Sequence, residues 1–221
     1  MWQNGPLMLY LGQWKMTEAV SVVVLAGGKS SRMGRDKAFV SILGRPLIEE
    51  VLARVAGLGT ETLIVTNRPE AYRYLGLPLV GDVFPEQGAL GGIYTAIYAA
   101  HSPYALVIAC DMPFLNRDLL AYLIRLRAGY DVVVPRLGGV PEPLHALYSK
   151  NCLEPIRRNL ESDVRKIIAF FPEVRVRYVD EAEIDRFDPA HLSFINVNTP
   201  AELAQARALA GERGDAGPAS S

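Results

Sequence analysis

Cysteine, histidine and net charge are all scarce in this chain, and each shortage closes a class of function. Its 221 residues include two cysteines, Cys110 and Cys152, and three histidines. Two isolated thiols build neither a disulfide framework nor a spaced zinc cluster. Cys110, inside an apolar run, reads as a small core residue, and a reducing cytoplasm fits. Lysine plus arginine number 23 against 24 aspartate plus glutamate, a formal net charge of -1. General attraction to nucleic acid or to an anionic membrane is therefore not expected, and anion binding has to be local. No apolar run approaches the ~20 residues of a membrane span, and no Ser-His-Asp or Cys-His arrangement for covalent catalysis is recognisable. What the chain has is apolar side chain, 50% of the sequence against 21% charged, enough for a sizeable core.

Apolar strands alternate with helical patterns, the layout of a mostly parallel sheet covered on both faces. No repeat or linker breaks it, so the expectation is one Rossmann-like, three-layer α/β/α domain over residues 17–210. The first fifteen residues lack the basic start, apolar centre and cleavage site of a signal peptide. Residues 1–16 are expected to be a disordered lead or a mis-placed start, with Met16 as the natural first residue, and 211–221 a disordered tail. Leu47, Ile48, Val51, Leu52 and Val55 form one helical face behind Pro46, ended by Gly57 and Gly59. Strands are expected at Thr62–Thr66, Leu77–Val80, Tyr104–Cys110, Asp131–Pro135, Ala146–Tyr148 and Val174–Val179. Asn116 can cap the helix whose Leu119, Leu120, Leu123 and Ile124 face inward. Thr199-Pro200-Ala201-Glu202 is a capping box with proline at the first helical position.

The richest stretch runs from Val22 to Lys37. Branched apolar residues end in Leu25-Ala26-Gly27-Gly28, followed by Lys29, two serines, Arg32, Arg35 and Lys37. Glycine lets backbone amides approach a phosphate closely, and the cations neutralise its charge. The spacing fits neither the Walker A motif nor the G-x-G-x-x-G dinucleotide fingerprint. It is either another kind of polyphosphate cradle or a plain glycine turn after a first strand.

Ligands of open α/β sheets collect beyond the carboxyl ends of the strands. Gly27, Asn67, Asp82 and Asp111 each follow an expected strand and should share that rim. Asp111 ends the most apolar strand and offers a hard oxygen ligand of the kind Mg²⁺ takes beside a triphosphate; the alternative is a helix cap. Asp82 and Asn67 also suit ordinary turns.

Read in order, L-A-G-G-x-S-S-R-M-G-x-D-K, Thr66-Asn67-Arg68, Gly81-Asp82, Gly88-Ala89-Leu90-Gly91-Gly92-Ile93, Cys110-Asp111-Met112-Pro113-Phe114, Pro141 to Tyr148 and Ile195-Asn196-Val197-Asn198-Thr199-Pro200 form a series. That series resembles the molybdenum cofactor guanylyltransferases, the nucleotidyltransferases that attach GMP to molybdopterin. Ala89 stands where many relatives have proline. The resemblance implies a nucleotide site of Leu25, Ala26, Gly27, Gly28, Lys37, Asn67, Asp82 and Asp111. Asp111 would hold Mg²⁺, and Lys37 and Arg32 would carry catalysis with it. Asn198 is a second metal or substrate contact, or simply shapes the helix entry. Glu142, His145, Asn196 and Asn198 fall on the acceptor side, although Glu142 and His145 read equally as a loop glutamate and a satisfied histidine.

The implied reaction transfers GMP from GTP to the terminal phosphate of molybdopterin, releasing pyrophosphate. Other cofactor-biosynthesis proteins or recipient apoenzymes would be transient partners. That acceptor phosphate is already anionic, so alignment and charge neutralisation suffice without a general base. The alternatives are a cytidylyltransferase of the same fold, which usually carries Ala-Ala-Gly in place of Ala26-Gly27-Gly28, and a nucleotide-binding module without chemistry.

Overall fold

The computed structural model describes residues 19–27, 37–42 and 44–214. Its spine is β1 (Val20–Leu25), six residues that are all buried. Such a strand is apolar on both faces because helices cover both. A short hairpin of β2 (Ser41–Ile42) and β3 (Arg45–Pro46) leads into α1 (Leu47–Val55), followed by β4 (Glu61–Val65), α2 (Pro69–Tyr72) and β5 (Leu79–Val80). The chain then crosses by α3 (Gly88–Ala99) to β6 (Tyr104–Ala109), and α4 (Arg117–Arg125) leads to β7 (Val132–Leu137). After β8 (Val140–Pro141), β9 (His145–Ser149), α5 (Leu153–Glu161), β10 (Val176–Asp180) and α6 (Glu181–Ile184), α7 (Pro200–Gly214) closes the described chain.

The main sheet runs β10-β7-β9-β6-β1-β4-β5, with β8 paired to β7. β1 pairs in parallel with β4 on one side and β6 on the other, while β9 is antiparallel to both β6 and β7. The three-layer α/β/α expectation therefore holds, with two reversed strands, β8 and β9, that apolar patterning does not reveal. Alternate residues of β1 face opposite layers. Val20, Val22 and Val24 pack with Ile48, Val51, Leu119 and Leu120, and Val23 and Leu25 pack with Leu90, Ile93, Ile97 and Ile156. Each such buried side chain contributes ~1.5–3 kcal/mol relative to exposure.

The direction of the chain reverses between β1 and β6: the elements after β1 build outward on one side, and α3 returns to start the other. This is a topological switch point, the place where open α/β sheets leave a crevice for ligand. Two details differ from the sequence expectations. Cys110 lies just past the end of β6 and is partly exposed, with its amide on the Leu25 carbonyl at 3.1 Å; it packs against the core from the rim. And α7 continues past Gly211 to Gly214, because Ala206 and Ala210 pack on Ile42, Leu47 and Phe114. The expected lead, residues 1–16, and the tail beyond Gly214 lie outside the described residues.

Candidate active site at the sheet switch point

Backbone hydrogen bonds stitch the strand ends into one continuous rim. The Ala26 amide donates to the Val65 carbonyl (2.9 Å) and the Thr66 amide to the Val80 carbonyl (2.8 Å). On the other side of β1, the Ala109 amide donates to the Leu144 carbonyl at 3.0 Å. These bonds carry Gly27, Asn67, Asp82 and Asp111 to the same edge of the sheet, as their positions after four separate strands implied. Leu25 and Ala26 are buried and Gly27 is exposed. A Cβ built on Gly27 would meet none of the described residues within 4 Å, which is compatible with a cradle there.

Asn67 and Asp82 form a reciprocal pair. The Asn67 Nδ2 donates to Asp82 Oδ2 at 2.8 Å, and the Asp82 amide donates to Asn67 Oδ1 at 2.9 Å. The other carboxylate oxygen, Asp82 Oδ1, is buried and accepts no hydrogen bond from the described residues. Burial pushes the Asp82 carboxyl above its ordinary value, and the Asn67 hydrogen bond pulls it back. The next residue is anchored too: the Val83 amide donates to Thr95 Oγ1 (2.9 Å), which itself donates to the Gly91 carbonyl (2.9 Å). This brace through a buried threonine on α3 was not anticipated; a lone polar residue among the apolar residues of that helix was its only signal.

Asp111 is partly buried just beyond β6. Its carbonyl accepts from the Val197 amide at 2.9 Å, which ties the nucleotide side of the rim to the Asn196–Asn198 segment. Asp111 does not cap the following helix. That role belongs to Asn116, whose side chain accepts from the Asp118 and Leu119 amides at 2.9 and 3.0 Å. The capping box at α7 forms as read: Glu202 Oε2 accepts from the Asn198 and Thr199 amides, and Thr199 Oγ1 accepts from the Glu202 amide. Asn198 is exposed, and Asn196 is partly buried with its Nδ2 3.5 Å from the Phe194 carbonyl.

The acceptor-side residues part company. Glu142 is half-buried on the rim, and burial alone raises its carboxyl above the ordinary range. His145 is fully buried beneath Phe194, ring centroids 4.9 Å apart. Neither of its ring nitrogens has a hydrogen-bond partner among the described residues. Desolvation lowers its pKa to about 4, against a smaller opposing pull from Asp188. His145 is thus a neutral ring in the core, not the satisfied histidine of one reading, and its burial speaks against the acceptor contact that the family resemblance implied. Gly28, Lys29, Arg32 and Arg35 lie outside the described residues. Lys37 opens a short 3-10 turn, Lys37–Phe39, of which its backbone alone is described.

No group of three or more His, Cys, Asp or Glu side chains able to hold a metal occurs among the described residues. The donors at the rim are carboxylate and amide oxygens. This hard-oxygen chemistry suits Mg²⁺, which takes one or two protein carboxylates and completes its shell with water and phosphate oxygens. Among the described residues, no helix is long and apolar enough to cross a membrane.

Comparison with known proteins agrees with this geometry. The MobA-like NTP transferase domain matches residues 22–178. A probable molybdenum cofactor guanylyltransferase of Pelotomaculum thermopropionicum is 39% identical over 188 residues, covering 85% of this chain and 92% of the relative. A molybdenum cofactor guanylyltransferase of Desulfosudis oleivorans is 38% identical, covering 86% and 96%. The crystal structure of molybdopterin-guanine dinucleotide biosynthesis protein A from Archaeoglobus fulgidus superposes with a TM-score of 0.76 at 29% identity, covering 87% of this chain and 99% of that one. A 2-C-methyl-D-erythritol 4-phosphate cytidylyltransferase from Thermus thermophilus shares the fold, with a TM-score of 0.61 at 23% identity and coverage of 87% and 99%.

Proposed function

The chain belongs to the MobA-like NTP transferases, and on that premise we propose that it transfers GMP from GTP to the terminal phosphate of molybdopterin. The products are molybdopterin guanine dinucleotide and pyrophosphate. The observation that carries this reading is the rim itself: an exposed glycine, an Asn–Asp pair with a spare buried oxygen, and a carboxylate on the far side of the switch point. The names of relatives at 38–39% identity supply the acceptor and favour GTP over CTP.

An oxygen of the acceptor phosphate attacks the α-phosphorus of GTP, and the bond to the β-phosphate bridging oxygen breaks. A phosphate monoester is largely dianionic at neutral pH, so no protein base has to remove a proton. The protein contributes in-line placement and neutralisation of charge on the leaving pyrophosphate. In this reading the Gly27 and Gly28 amides donate to the phosphates, and Lys37 and Arg32 meet the charge released on the leaving group. Asn67 and Asp82 hold the nucleotide, with the Asn67 side chain fixing which way the Asp82 carboxylate faces. Asp111 is the residue that would hold Mg²⁺, with Asn198 as a further oxygen donor; when bound, the ion supplies positive charge to phosphate oxygens. Asn196 and Asn198 contribute to the acceptor side. The setting is the cytoplasm, with transient contacts to other cofactor-biosynthesis proteins or to recipient apoenzymes.

The test offers the purified protein molybdopterin with each of the four nucleoside triphosphates in turn, following pyrophosphate release and the dinucleotide product. Product with GTP alone is the expected result; product with CTP alone moves the chain to a cytidylyltransferase. No turnover with any triphosphate makes it a binding module.

A further inference from the structure

The turn that joins β8 to β9 is fixed at almost every backbone position, and yet it carries a carboxylate with nothing to bind. The Glu142 amide donates to the Pro135 carbonyl at 2.9 Å, and the His145 amide closes the turn on the Glu142 carbonyl at 3.0 Å. The Leu144 carbonyl accepts from the Ala109 amide at 3.0 Å. The hydroxyl of the fully buried Tyr148 donates to the Pro143 carbonyl at 2.7 Å. The Glu142 side chain, in contrast, makes no hydrogen bond or ion pair with the described residues, although it is half-buried. Ala109 is the last residue of β6, so the turn lies on the same rim as Asp111, on the side away from Gly27 and Asn67.

A carboxylate on a fixed turn, partly desolvated and unpaired, is costly unless a ligand completes it. Its charge repels the phosphate end of either substrate. What it accepts from is a donor edge, and the reaction proposed above brings two chemically equivalent ones. Guanine and the pterin ring of molybdopterin both present a ring N–H beside an exocyclic amino group, a spacing that matches the two oxygens of a carboxylate. We propose that Glu142 is a specificity residue that accepts two hydrogen bonds from the 2-amino-4-oxo ring of one of these substrates. This rests on the guanylyltransferase reading. The side of the rim on which Glu142 stands, beyond Asp111 and away from the Asn67–Asp82 pair, favours the pterin as its source.

Steady-state transfer by the full chain, by Glu142→Gln and by Glu142→Ala tests this, with GTP, ITP and molybdopterin each varied. Glutamine presents an NH₂ donor to a donor edge, and alanine presents nothing. Both should raise the KM of one ring substrate by roughly five- to a hundredfold, the worth of a bidentate pair, with kcat at saturation within about twofold. If the ring is the pterin, the molybdopterin KM rises and the preference for GTP over ITP, which lacks the amino group, stays as in the wild type. If it is guanine, that preference collapses instead. Either result supports the assignment and names the source. Unchanged KM values for both substrates overturn it, as does a change confined to the Mg²⁺ requirement, which would make Glu142 a metal ligand. A fall in kcat that tracks a fall in Tm overturns it as well, since a structural role predicts that coupling. The guanylyltransferase reading fails separately, when the wild-type chain makes no product from GTP.

Discussion

At the scale of single residues, the rim separates side chains that answer to one another from those that answer to a ligand. Asn67 and Asp82 lie far apart in sequence and close a two-way hydrogen bond. Asp82→Ala therefore removes a carboxylate and also releases Asn67. It is expected to lower kcat/KM for GTP by more than tenfold with little change in Tm, read from initial rates and a melting curve. Asp111→Ala should leave the fold intact, because the tie to Val197 uses its backbone carbonyl, and should remove most turnover. Activity near wild type in Mg²⁺ would end the assignment of that residue. His145 runs the opposite way. Two buried, unpaired ring nitrogens cost ~1–3 kcal/mol, so His145→Phe, which keeps a ring against Phe194, should raise Tm by a few degrees and leave both KM values unchanged. The family resemblance placed His145 on the acceptor side. Its burial depends on Phe194, nearly fifty residues ahead in the chain, and no local pattern carries that information.

Among the elements, the caps were readable and the pairing was not. Asn116 and Thr199 announce their helices by residue type, since a short polar side chain before an apolar face satisfies otherwise orphaned amides. Asn116 also donates through Nδ2 to the Phe187 carbonyl at 2.7 Å. Asn116→Ala should therefore cost at the upper end of the ~0.5–2 kcal/mol of an ordinary cap, measured by chemical denaturation. Strand β9 shows what patterning hides. Ala146-Leu147-Tyr148 looks like any other buried strand, because apolar residues covered on both faces look alike whichever way the strand runs. Its antiparallel course is set one strand earlier, where the two-residue turn at Gly138–Gly139 reverses the chain between β7 and β8 and is too short for the crossover a parallel partner needs. β9 keeps the direction of β8.

For the molecule as a whole, stability should fall on the acid side in two steps with different owners. The folded His145 has its pKa lowered to about 4 from 6.5. The unfolded chain then takes up a proton that the folded chain refuses, and stability drops between about pH 6.5 and 4, by ~3 kcal/mol if fully expressed. Asp131 acts lower down. Its nearly buried carboxylate accepts from Arg175, Asn151 and Ser149, and although burial alone would raise its pKa, the bonds from Arg175 and Asn151 hold it at about 2. That stabilisation is present above about pH 4 and is lost as the pH falls towards 2. It amounts to ~1–2 kcal/mol, given that the Arg175 side chain is largely exposed and screened. Denaturant midpoints from pH 7 to 3 should show His145→Phe flattening the upper step, and Asp131→Asn lowering the whole plateau.

The main parallel strands, the helices α1, α4 and α7, the acidic residues after β5 and β6 and both helix caps could be read directly from the residues. Each is written in a local period, a local residue type or a short spacing. The reversed β9, the rim position of Cys110, the burial of His145 and the unpaired state of Glu142 could not be. They depend on which distant backbone supplies the next hydrogen bond and which side chain covers which, and packing decides such contacts only once the layers have closed.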